Sequence, residues 1–310
     1  MFDDFVPFDL TVPTRSSAGS GTAAPDGVRV HGVRGGDGPP LLLLHGYPQT
    51  HALWHRIAPE LSRTHTVVCP DLRGYGDSGR PESGGDHAAY SFRAMADDAV
   101  GAMRELGFDE FAVVGHDRGA RVTHRMALDH PGAVTRAAVL DILPTEWVYS
   151  HVDFRIASAY YHWFFYLQPY DLPERLIAGD PIGYLHALLG GWGSSGMDAH
   201  APEAVAEYER NFADPGTRHA MLEDYRAGAS IDLEHDAESA AAGRRVACPL
   251  LVLWGGKGVV GGGAESPLDV WRPYAADPSL VTGRAIEKAG HFLVDEFPEE
   301  TLWEIRAFLG

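Results

Sequence analysis

The stretch that decides the fold is Val113-Val114-Gly115-His116-Asp117-Arg118-Gly119, in which an apolar run meets Gly-x-Asp-x-Gly and then a helical pattern. This spacing is typical of a nucleophile elbow, a sharp strand-to-helix turn whose central side chain is exposed at a helix N-terminus. The helix dipole and the free backbone N–H groups at that place favour an ionised carboxylate. We therefore expect Asp117 to be a nucleophile; the alternative is an aspartate that only caps the helix.

Short apolar runs alternate with helical segments on both sides of the elbow. The predicted strands are residues 28–33, 40–45, 66–70, 111–115, 137–140, 249–254 and 282–287, and the predicted helices are 52–62, 93–106, 119–129 and 299–309. Near-continuous Val and Leu runs indicate strands that are buried on both faces of a parallel sheet. Their alternation with helices predicts a doubly wound α/β fold. Residues 16–27 are rich in Gly, Ser and Ala and are predicted to be a loop.

The alternation breaks between Trp147 and His235, where the chain is aromatic, helical in pattern and too long for a loop. We interpret residues 147–235 as a helical cap domain inserted into a core domain of residues 1–146 and 236–310. Ligands of such sheets bind beyond the carboxyl ends of the strands, so the insertion is expected to be a lid.

Composition excludes several classes of partner. The 310 residues include 25 Lys plus Arg and 43 Asp plus Glu, which gives a net charge of −18. This charge argues against binding to nucleic acid or to anionic lipid, and it favours a small-molecule ligand. We see no cluster of metal ligands, and we expect neither a metal nor an organic cofactor.

The termini and the cysteines favour a cytoplasmic protein. No apolar run approaches the ~20 residues of a membrane helix, and the N-terminus lacks the pattern of a signal peptide. The two cysteines, Cys69 and Cys248, lie in apolar runs and are predicted to be buried, inert thiols in a reducing compartment.

A carboxylate nucleophile displaces a leaving group from saturated carbon and leaves an alkyl ester, which an activated water must then hydrolyse. The predicted base is His291 in Ala289-Gly290-His291-Phe292, because this architecture has the chain order nucleophile, acid, histidine. The predicted acid partner is Asp141, since the loop after residues 249–254 contains no carboxylate; Asp295 is a weaker alternative.

The oxyanion hole should combine a backbone N–H after the elbow with one from the loop that follows the third strand. Leu44-His45-Gly46-Tyr47-Pro48 fits that loop, because glycine permits the tight turn and proline makes it rigid. We predict the backbone N–H groups of Tyr47 and Arg118 as donors and the His45 side chain as part of the pocket wall.

Taken together, these segments resemble the α/β-hydrolase superfamily and specifically its fluoroacetate (haloacetate) dehalogenases, from about residue 28 to the C-terminus. The segments that carry the resemblance are His45-Gly46-Tyr47-Pro48-Gln49, Gly115 to Arg121, Leu140-Asp141-Ile142, Tyr161-His162-Trp163-Phe164-Phe165 and Gly290-His291. The resemblance implies a mostly parallel, eight-stranded sheet with a cap, and a homodimer. It also implies hydrolysis of the carbon–halogen bond of short 2-haloacids through an aspartyl ester, giving a 2-hydroxy acid and halide.

The resemblance assigns roles to individual residues. It implies Asp117 as nucleophile, His291 as base, Asp141 as acid, Arg118 and Arg121 as the substrate-carboxylate site, His162, Trp163 and Tyr225 as the halide site, and Trp192 as pocket lining. Tyr208 is the alternative to Tyr225.

The charge and spacing of Arg118 and Arg121 suit them to binding one carboxylate together. Arg118 and Arg121 are three residues apart at a helix start and can therefore face the same side. Two guanidiniums can hold one planar carboxylate, which a neutral haloalkane would not require. We expect Arg125, one turn further along, to be a surface residue.

Two other functions stay open at this point. An epoxide hydrolase would use the same Asp-His-acid logic, with two lid tyrosines that protonate the opening oxygen. A non-catalytic ligand-binding protein of the same fold would tolerate loss of the triad, but here all three members can be placed in the sequence.

Overall fold

Eight β-strands form one sheet that carries the elbow near its centre. The structure, a computed structural model, describes residues 1–13 and 27–310, so the loop predicted at 16–27 lies almost wholly outside the described residues. The strands are β1 (Val6–Val12), β2 (Val28–Gly35), β3 (Pro40–Leu44), β4 (Thr66–Pro70), β5 (Phe111–His116), β6 (Val134–Leu140), β7 (Leu250–Gly255) and β8 (Val281–Ile286). Their order is β1-β2-β4-β3-β5-β6-β7-β8. Only β2 runs antiparallel to its neighbours β1 and β4, which confirms the mostly parallel sheet.

Sheet register brings three loops together at one edge. Leu44 of β3 pairs with Gly115 of β5, and His116 of β5 pairs with Leu140 of β6. The segments that follow these strands therefore leave the sheet side by side. All six residues of β5 are buried, as expected for a strand covered by helices on both faces.

Helices cover the two faces of the sheet and fill the segment between β6 and β7. They are α1 (Ala58–Leu61), α2 (Phe92–Glu105), α3 (Arg118–Asp129), α4 (Thr145–Ser150), α5 (Phe154–Ala159), α6 (Tyr161–Tyr166), α7 (Leu172–Ile177), α8 (Pro181–Trp192), α9 (Pro202–Phe212), α10 (Pro215–Gly228), α11 (Ile231–Ala241), α12 (Pro267–Trp271), α13 (Leu293–Glu296) and α14 (Pro298–Leu309). Short 3-10 turns lie at His51–Arg56, Ala88–Tyr90, Gly196–Ala199, Arg272–Tyr274 and Pro278–Leu280.

The cap expected from the break in alternation corresponds to α4 to α11, which occupy the chain between β6 and β7. The exact domain boundaries at residues 147 and 235 remain a prediction. Within the described residues, none of the helices is both long and apolar enough to cross a membrane.

Two elements differ from the sequence prediction. Strand β1 was not predicted; it is an edge strand that pairs with β2 alone, and its buried Phe8 and Val12 are separated by polar or partly exposed residues. The single helix predicted at 52–62 is instead a 3-10 turn followed by α1. Pro59, near the start of α1, has no N–H to donate to an earlier carbonyl, so one continuous helix is disfavoured.

Candidate active site

The elbow holds Asp117 in an unusual backbone conformation between β5 and α3. Its φ is 49° and its ψ is −115°, a region that few non-glycine residues adopt and that is maintained where the surrounding structure enforces it. A Cβ at Gly119 would lie 2.3 Å from the carbonyl oxygen of Leu44, so only glycine lets α3 approach β3 this closely. The Asp117 carboxylate makes no capping hydrogen bond to α3, which goes against the capping alternative.

The two carboxylate oxygens of Asp117 have different neighbours. The backbone N–H of Tyr47 donates to Oδ1 at 2.9 Å, while Oδ2 lies 3.6 Å from Nε2 of His291. Burial opposes ionisation of Asp117, but the positive charges of His291, Arg118 and Arg121 together lower its pKa. An ionised carboxylate with one oxygen held and the other facing the cavity is suited to nucleophilic attack through Oδ2.

His291 lies between the two aspartates. Its Nδ1 is 2.7 Å from Oδ2 of Asp141, and Asp141 Oδ1 accepts the backbone N–H of Gly255 at 2.9 Å. The Nδ1 proton of His291 is held by Asp141, so Nε2 carries the lone pair and points towards Asp117. This is the tautomer that a base needs. The alternative acid, Asp295, instead accepts a hydrogen bond from Gln49 at 2.8 Å.

The pKa of His291 reflects this arrangement. Burial disfavours its charged form, but the hydrogen bond and charge of Asp141, followed by the charge of Asp117, raise its pKa above 6.5. The neighbouring His116 donates from Nε2 to the His291 carbonyl oxygen at 2.8 Å, and burial lowers the pKa of His116 to about 4. His116 is therefore neutral and acts as a backbone support.

These groups open into a cavity of about 410 Å³. It is lined by Asp117, Arg121, Asp141, Ser158, Ala159, Tyr160, Tyr161, His162, Trp163, Ala187, Gly191, Trp192, Gly193, Lys257, Gly258, Val259 and His291. The core thus supplies the triad and one arginine, and the cap supplies most of the aromatic wall. Within residues 1–13 and 27–310, no group of three or more His, Cys, Asp or Glu side chains is arranged to hold a metal ion.

Arg121 is a buried cation on the cavity wall. Its Nη1 donates to the carbonyl oxygen of Leu143 at 3.1 Å and to the hydroxyl of Thr145 at 2.9 Å, and its guanidinium lies 4.6 Å from the ring centre of Trp163. Among the described residues no carboxylate forms an ion pair with it. Burial, and then the charge of Arg118, lower its pKa, and the charge of Asp117 offsets them only in part.

Arg118 is placed differently from Arg121, although both were predicted to hold a substrate. Its Nε and Nη2 donate to the two carboxylate oxygens of Asp224 at 2.8 and 2.5 Å, and its guanidinium lies between the rings of Phe92 and Tyr225. Burial disfavours its charge, but Asp224 more than offsets this and raises its pKa. The positive charge of Arg118 is therefore already balanced within the protein, and Arg118 is not among the residues that line the cavity.

The three residues predicted to bind halide form one cluster of rings; His162 and Trp163 line the cavity, and Tyr225 packs against both without being among the lining residues. The ring centre of Tyr225 lies 5.6 Å from that of His162 and 6.2 Å from that of Trp163. Burial lowers the pKa of His162 to about 3, so its imidazole is neutral and retains one N–H donor. Tyr208 instead accepts a hydrogen bond from Gln49 at 3.2 Å, outside this cluster, which favours Tyr225 over Tyr208.

Trp192 lies where pocket lining was predicted. Its ring centre is 4.3 Å from that of His162 and 5.8 Å from that of His291. Its carbonyl oxygen also accepts the backbone N–H of His291 at 3.0 Å, so this cap residue touches the base through both ring and backbone.

Two sequence predictions are wrong. His45 does not line the cavity: its ring is fully buried, Nε2 accepts the backbone N–H of Leu72 at 3.0 Å, and Nδ1 donates to Gly46. Its role is to brace the oxyanion loop. Arg125 is not a surface residue but is 2% exposed, because Asp236 pairs with it at 2.5 Å and balances its charge.

Two residues were missed by the sequence reasoning. Asp224, the partner of Arg118, lies 106 positions away, and no local pattern links the two. Lys257 lies on the cavity wall and is exposed to solvent. The composition could have drawn attention to Lys257, because the sequence contains only two lysines, Lys257 and Lys288, against 43 acidic residues.

Comparison with known proteins agrees with this geometry. The family model for the alpha/beta hydrolase fold matches residues 39–298. The chain is 48% identical over 283 residues to a fluoroacetate dehalogenase from Burkholderia sp, and the match covers 91% of each chain. It is 33% identical over 277 residues to a soluble epoxide hydrolase from Corynebacterium sp. (strain C12), and that match covers 88% of this chain and 91% of the relative. A crystal structure from Nostoc sp PCC 7120, assigned to an alpha/beta hydrolase, superimposes with a TM-score of 0.90 at 49% identity over 100% of this chain and 99% of that one. The chain therefore belongs to the α/β-hydrolase family.

Proposed function

We propose that this protein is a hydrolytic dehalogenase that cleaves the carbon–halogen bond of short 2-haloacids such as fluoroacetate. The similarity to the Burkholderia fluoroacetate dehalogenase, at 48% identity over 91% of the chain, supports this reaction over that of the more distant epoxide hydrolases. No cofactor is needed for the chemistry, because the nucleophile, the base and water supply every reacting group.

One observation carries the proposal. A buried guanidinium without a carboxylate partner among the described residues, that of Arg121, lines the same cavity as the carboxylate of Asp117. Burying an unbalanced cation is costly unless a ligand balances it. A substrate whose reactive carbon is bonded directly to a carboxylate satisfies both groups at once: Arg121 binds the carboxylate, and Asp117 faces the α-carbon.

In the first half-reaction Oδ2 of Asp117 attacks the α-carbon in line with the carbon–halogen bond, and the halide leaves with the bonding electrons. Tyr47 holds the other oxygen, Oδ1, so the nucleophile is presented in one orientation. The departing halide is received by N–H and O–H donors of His162, Trp163 and Tyr225. Fluoride is strongly hydrated, so fixed donors must replace its lost water.

In the second half-reaction His291 takes a proton from a water molecule, which attacks the carbonyl carbon of the Asp117 ester. The backbone N–H of Tyr47 then stabilises the oxyanion on Oδ1, joined by the N–H of Arg118 at the start of α3. When this intermediate collapses, the bond between the carboxyl carbon and Oδ2 breaks, and the proton held by His291 goes to the departing oxygen. The 2-hydroxy acid leaves, and Asp117 and neutral His291 are regenerated. Ester formation removes the negative charge of Asp117, one of the groups that raise the pKa of His291. The first half-reaction thus makes His291 a neutral base at the moment when hydrolysis needs it.

The direct test is halide release from fluoroacetate, chloroacetate and bromoacetate, with Asp117→Asn as the control. A single turnover in heavy-oxygen water should place the label in Asp117 and not in the product. Label in the first-turnover product would refute the ester route, and lack of halide release from all three substrates would refute the proposed function.

The same samples test the two alternatives. An epoxide hydrolase would open an epoxide ring and release no halide; its neutral substrate would leave Arg121 unbalanced. A non-catalytic binding protein would bind haloacetate tightly without turnover.

We also propose a cytoplasmic homodimer. The cap exposes apolar side chains within a short segment, with Phe154 at 90% exposed, Tyr170 at 74% and Leu176 at 59%, and a second copy would cover such residues. The two cysteines are unpaired, which agrees with a reducing compartment. Sedimentation at several protein concentrations would test the dimer, and a monomer throughout would contradict it.

A further inference from the structure

The carboxylate of Glu296, the last residue of α13, collects hydrogen-bond donors from both sides of the base. Its Oε1 accepts the backbone N–H groups of Gly290 and Phe292, each at 3.1 Å. These residues flank His291 directly in the sequence. The backbone of the base is therefore fixed by one side chain that makes no contact with the cavity.

The same carboxylate also holds the cap. Its Oε2 accepts the backbone N–H of Ser194 at 2.6 Å and also the Ser194 hydroxyl. Ser194 follows Trp192 by two residues, and the Trp192 carbonyl oxygen accepts the N–H of His291. A Cβ at Gly290 would lie 2.5 Å from the Ser194 nitrogen, so the two segments are in tight contact.

We propose that Glu296 is a positioning residue for hydrolysis of the Asp117 ester: it fixes the backbone around His291 and ties that loop to the cap segment that carries Trp192. This inference rests on the proposed function. A base must stay within hydrogen-bond reach of the attacking water, and small displacements lower rates steeply. Attack on the halocarboxylate does not use His291, so the first half-reaction should be much less sensitive to Glu296.

The charge of Glu296 gives a second, separable effect. The charged or titratable groups around His291 are Asp141, Asp117, His116, His162 and Glu296. Burial disfavours protonation of His291, and Asp141, Asp117 and Glu296 favour it in that order, so removing Glu296 should lower the pKa of His291. A neutral imidazole would then persist to lower pH. The acid limb, meaning the acid side of the pH–rate profile for ester hydrolysis, should therefore move to lower pH.

The experiment is rapid quench of the whole protein with chloroacetate, followed by intact mass spectrometry across a pH series. The amount of ester formed in the first turnover measures the concentration of protein that can be alkylated. Each rate is normalised to this concentration, so a misfolded fraction of a variant does not affect the comparison. Glu296→Gln removes the charge. Glu296→Asp keeps the charge and shortens the reach. Glu299→Gln, at an exposed residue three positions further on, is the matched control.

We expect Glu296→Gln to form ester within about threefold of the parent rate, to hydrolyse it at least about tenfold more slowly, and to shift the acid limb to lower pH. Glu296→Asp should slow hydrolysis without shifting the limb, and Glu299→Gln should behave as the parent. Hydrolysis at the parent rate in both Glu296 variants, equal losses in the two half-reactions, or an unmoved limb in Glu296→Gln would overturn the assignment. Absence of any ester in the parent would refute the proposed function itself, and the role of Glu296 with it.

Discussion

Substitution of the two helix arginines should separate binding from stability, because their environments differ. Arg121→Met removes the cation that faces the cavity and breaks two hydrogen bonds, to Leu143 and Thr145. It leaves no buried carboxylate unpaired among the described residues. Arg118→Met instead leaves Asp224, a fully buried carboxylate, with the Tyr75 hydroxyl at 2.7 Å as its remaining side-chain partner.

The magnitudes follow from these contacts. One charge-assisted hydrogen bond to a substrate carboxylate contributes about 1.5–3 kcal/mol, so Arg121→Met should lower kcat/KM for fluoroacetate by about 10- to 150-fold. Its two lost protein hydrogen bonds also come from the charged guanidinium and are worth about 1.5–3 kcal/mol each, but removal of a buried charge without a paired carboxylate offsets most of that loss. Breaking the buried pair in Arg118→Met should cost about 3–5 kcal/mol of unfolding free energy.

The assays are fluoride release under kcat/KM conditions and urea unfolding of the same preparations. Arg121→Met should lose activity with a change of unfolding free energy below about 2 kcal/mol, whereas the main loss in Arg118→Met should be in unfolding free energy. Two results would refute the reasoning: kcat/KM in Arg121→Met within about threefold of the parent, or destabilisation of Arg121→Met equal to that of Arg118→Met.

Three further predictions concern the base and the pocket mouth. His291→Gln should still release one equivalent of halide and then stop, since the ester forms but is not hydrolysed; steady turnover in this variant would contradict the role of His291. The fraction of protein held as ester should rise as the pH falls through the pKa that His291 has in the ester, because the protonated imidazole cannot accept a proton from water. That pKa is lower than in the free protein, since the ester lacks the Asp117 charge that helps to raise it. A pH-independent fraction, measured by quenched-flow mass spectrometry, would go against this. Lys257→Met should raise KM about two- to fivefold at low ionic strength and have little effect at about 1 M salt, where the charge is screened within ~3 Å. The test is KM measured at both salt concentrations, and an equal effect at both would exclude an electrostatic role of Lys257.

Much of the site could be predicted because its residues lie in short segments with strong local requirements. The elbow is defined by two glycines around Asp117, and its positive φ of 49° is what those glycines make room for. The position of Asp141 follows from the end of a buried strand, and sheet register then brings it next to the elbow. Residues that follow the carboxyl ends of adjacent parallel strands therefore lie next to each other in the site.

The remainder depends on contacts that no local pattern encodes. The pairing of Arg118 with Asp224 joins the elbow to a cap helix, and the sequence offers many acidic residues as partners. His45 was misplaced for a related reason. A histidine beside the oxyanion loop can face the cavity or the loop behind it, and the choice depends on the N–H of Leu72, a residue beyond the next strand. Strand β1 was missed because an edge strand buries too few residues to give a clear pattern.

The position of Lys257 has a practical consequence for work with this protein. The sequence contains two lysines, and both lie on exposed loop positions that adjoin through the hydrogen bond from the Lys257 backbone N–H to Ala289. Reagents that couple to lysine, such as dyes, crosslinkers and resins, would therefore react with Lys257 on the cavity wall or with Lys288, whose neighbour Ala289 contacts Lys257. Coupling at Lys257 would obstruct the substrate path. A lysine introduced on the opposite face, together with Lys257→Arg and Lys288→Arg, would move lysine coupling away from the cavity and keep both positive charges.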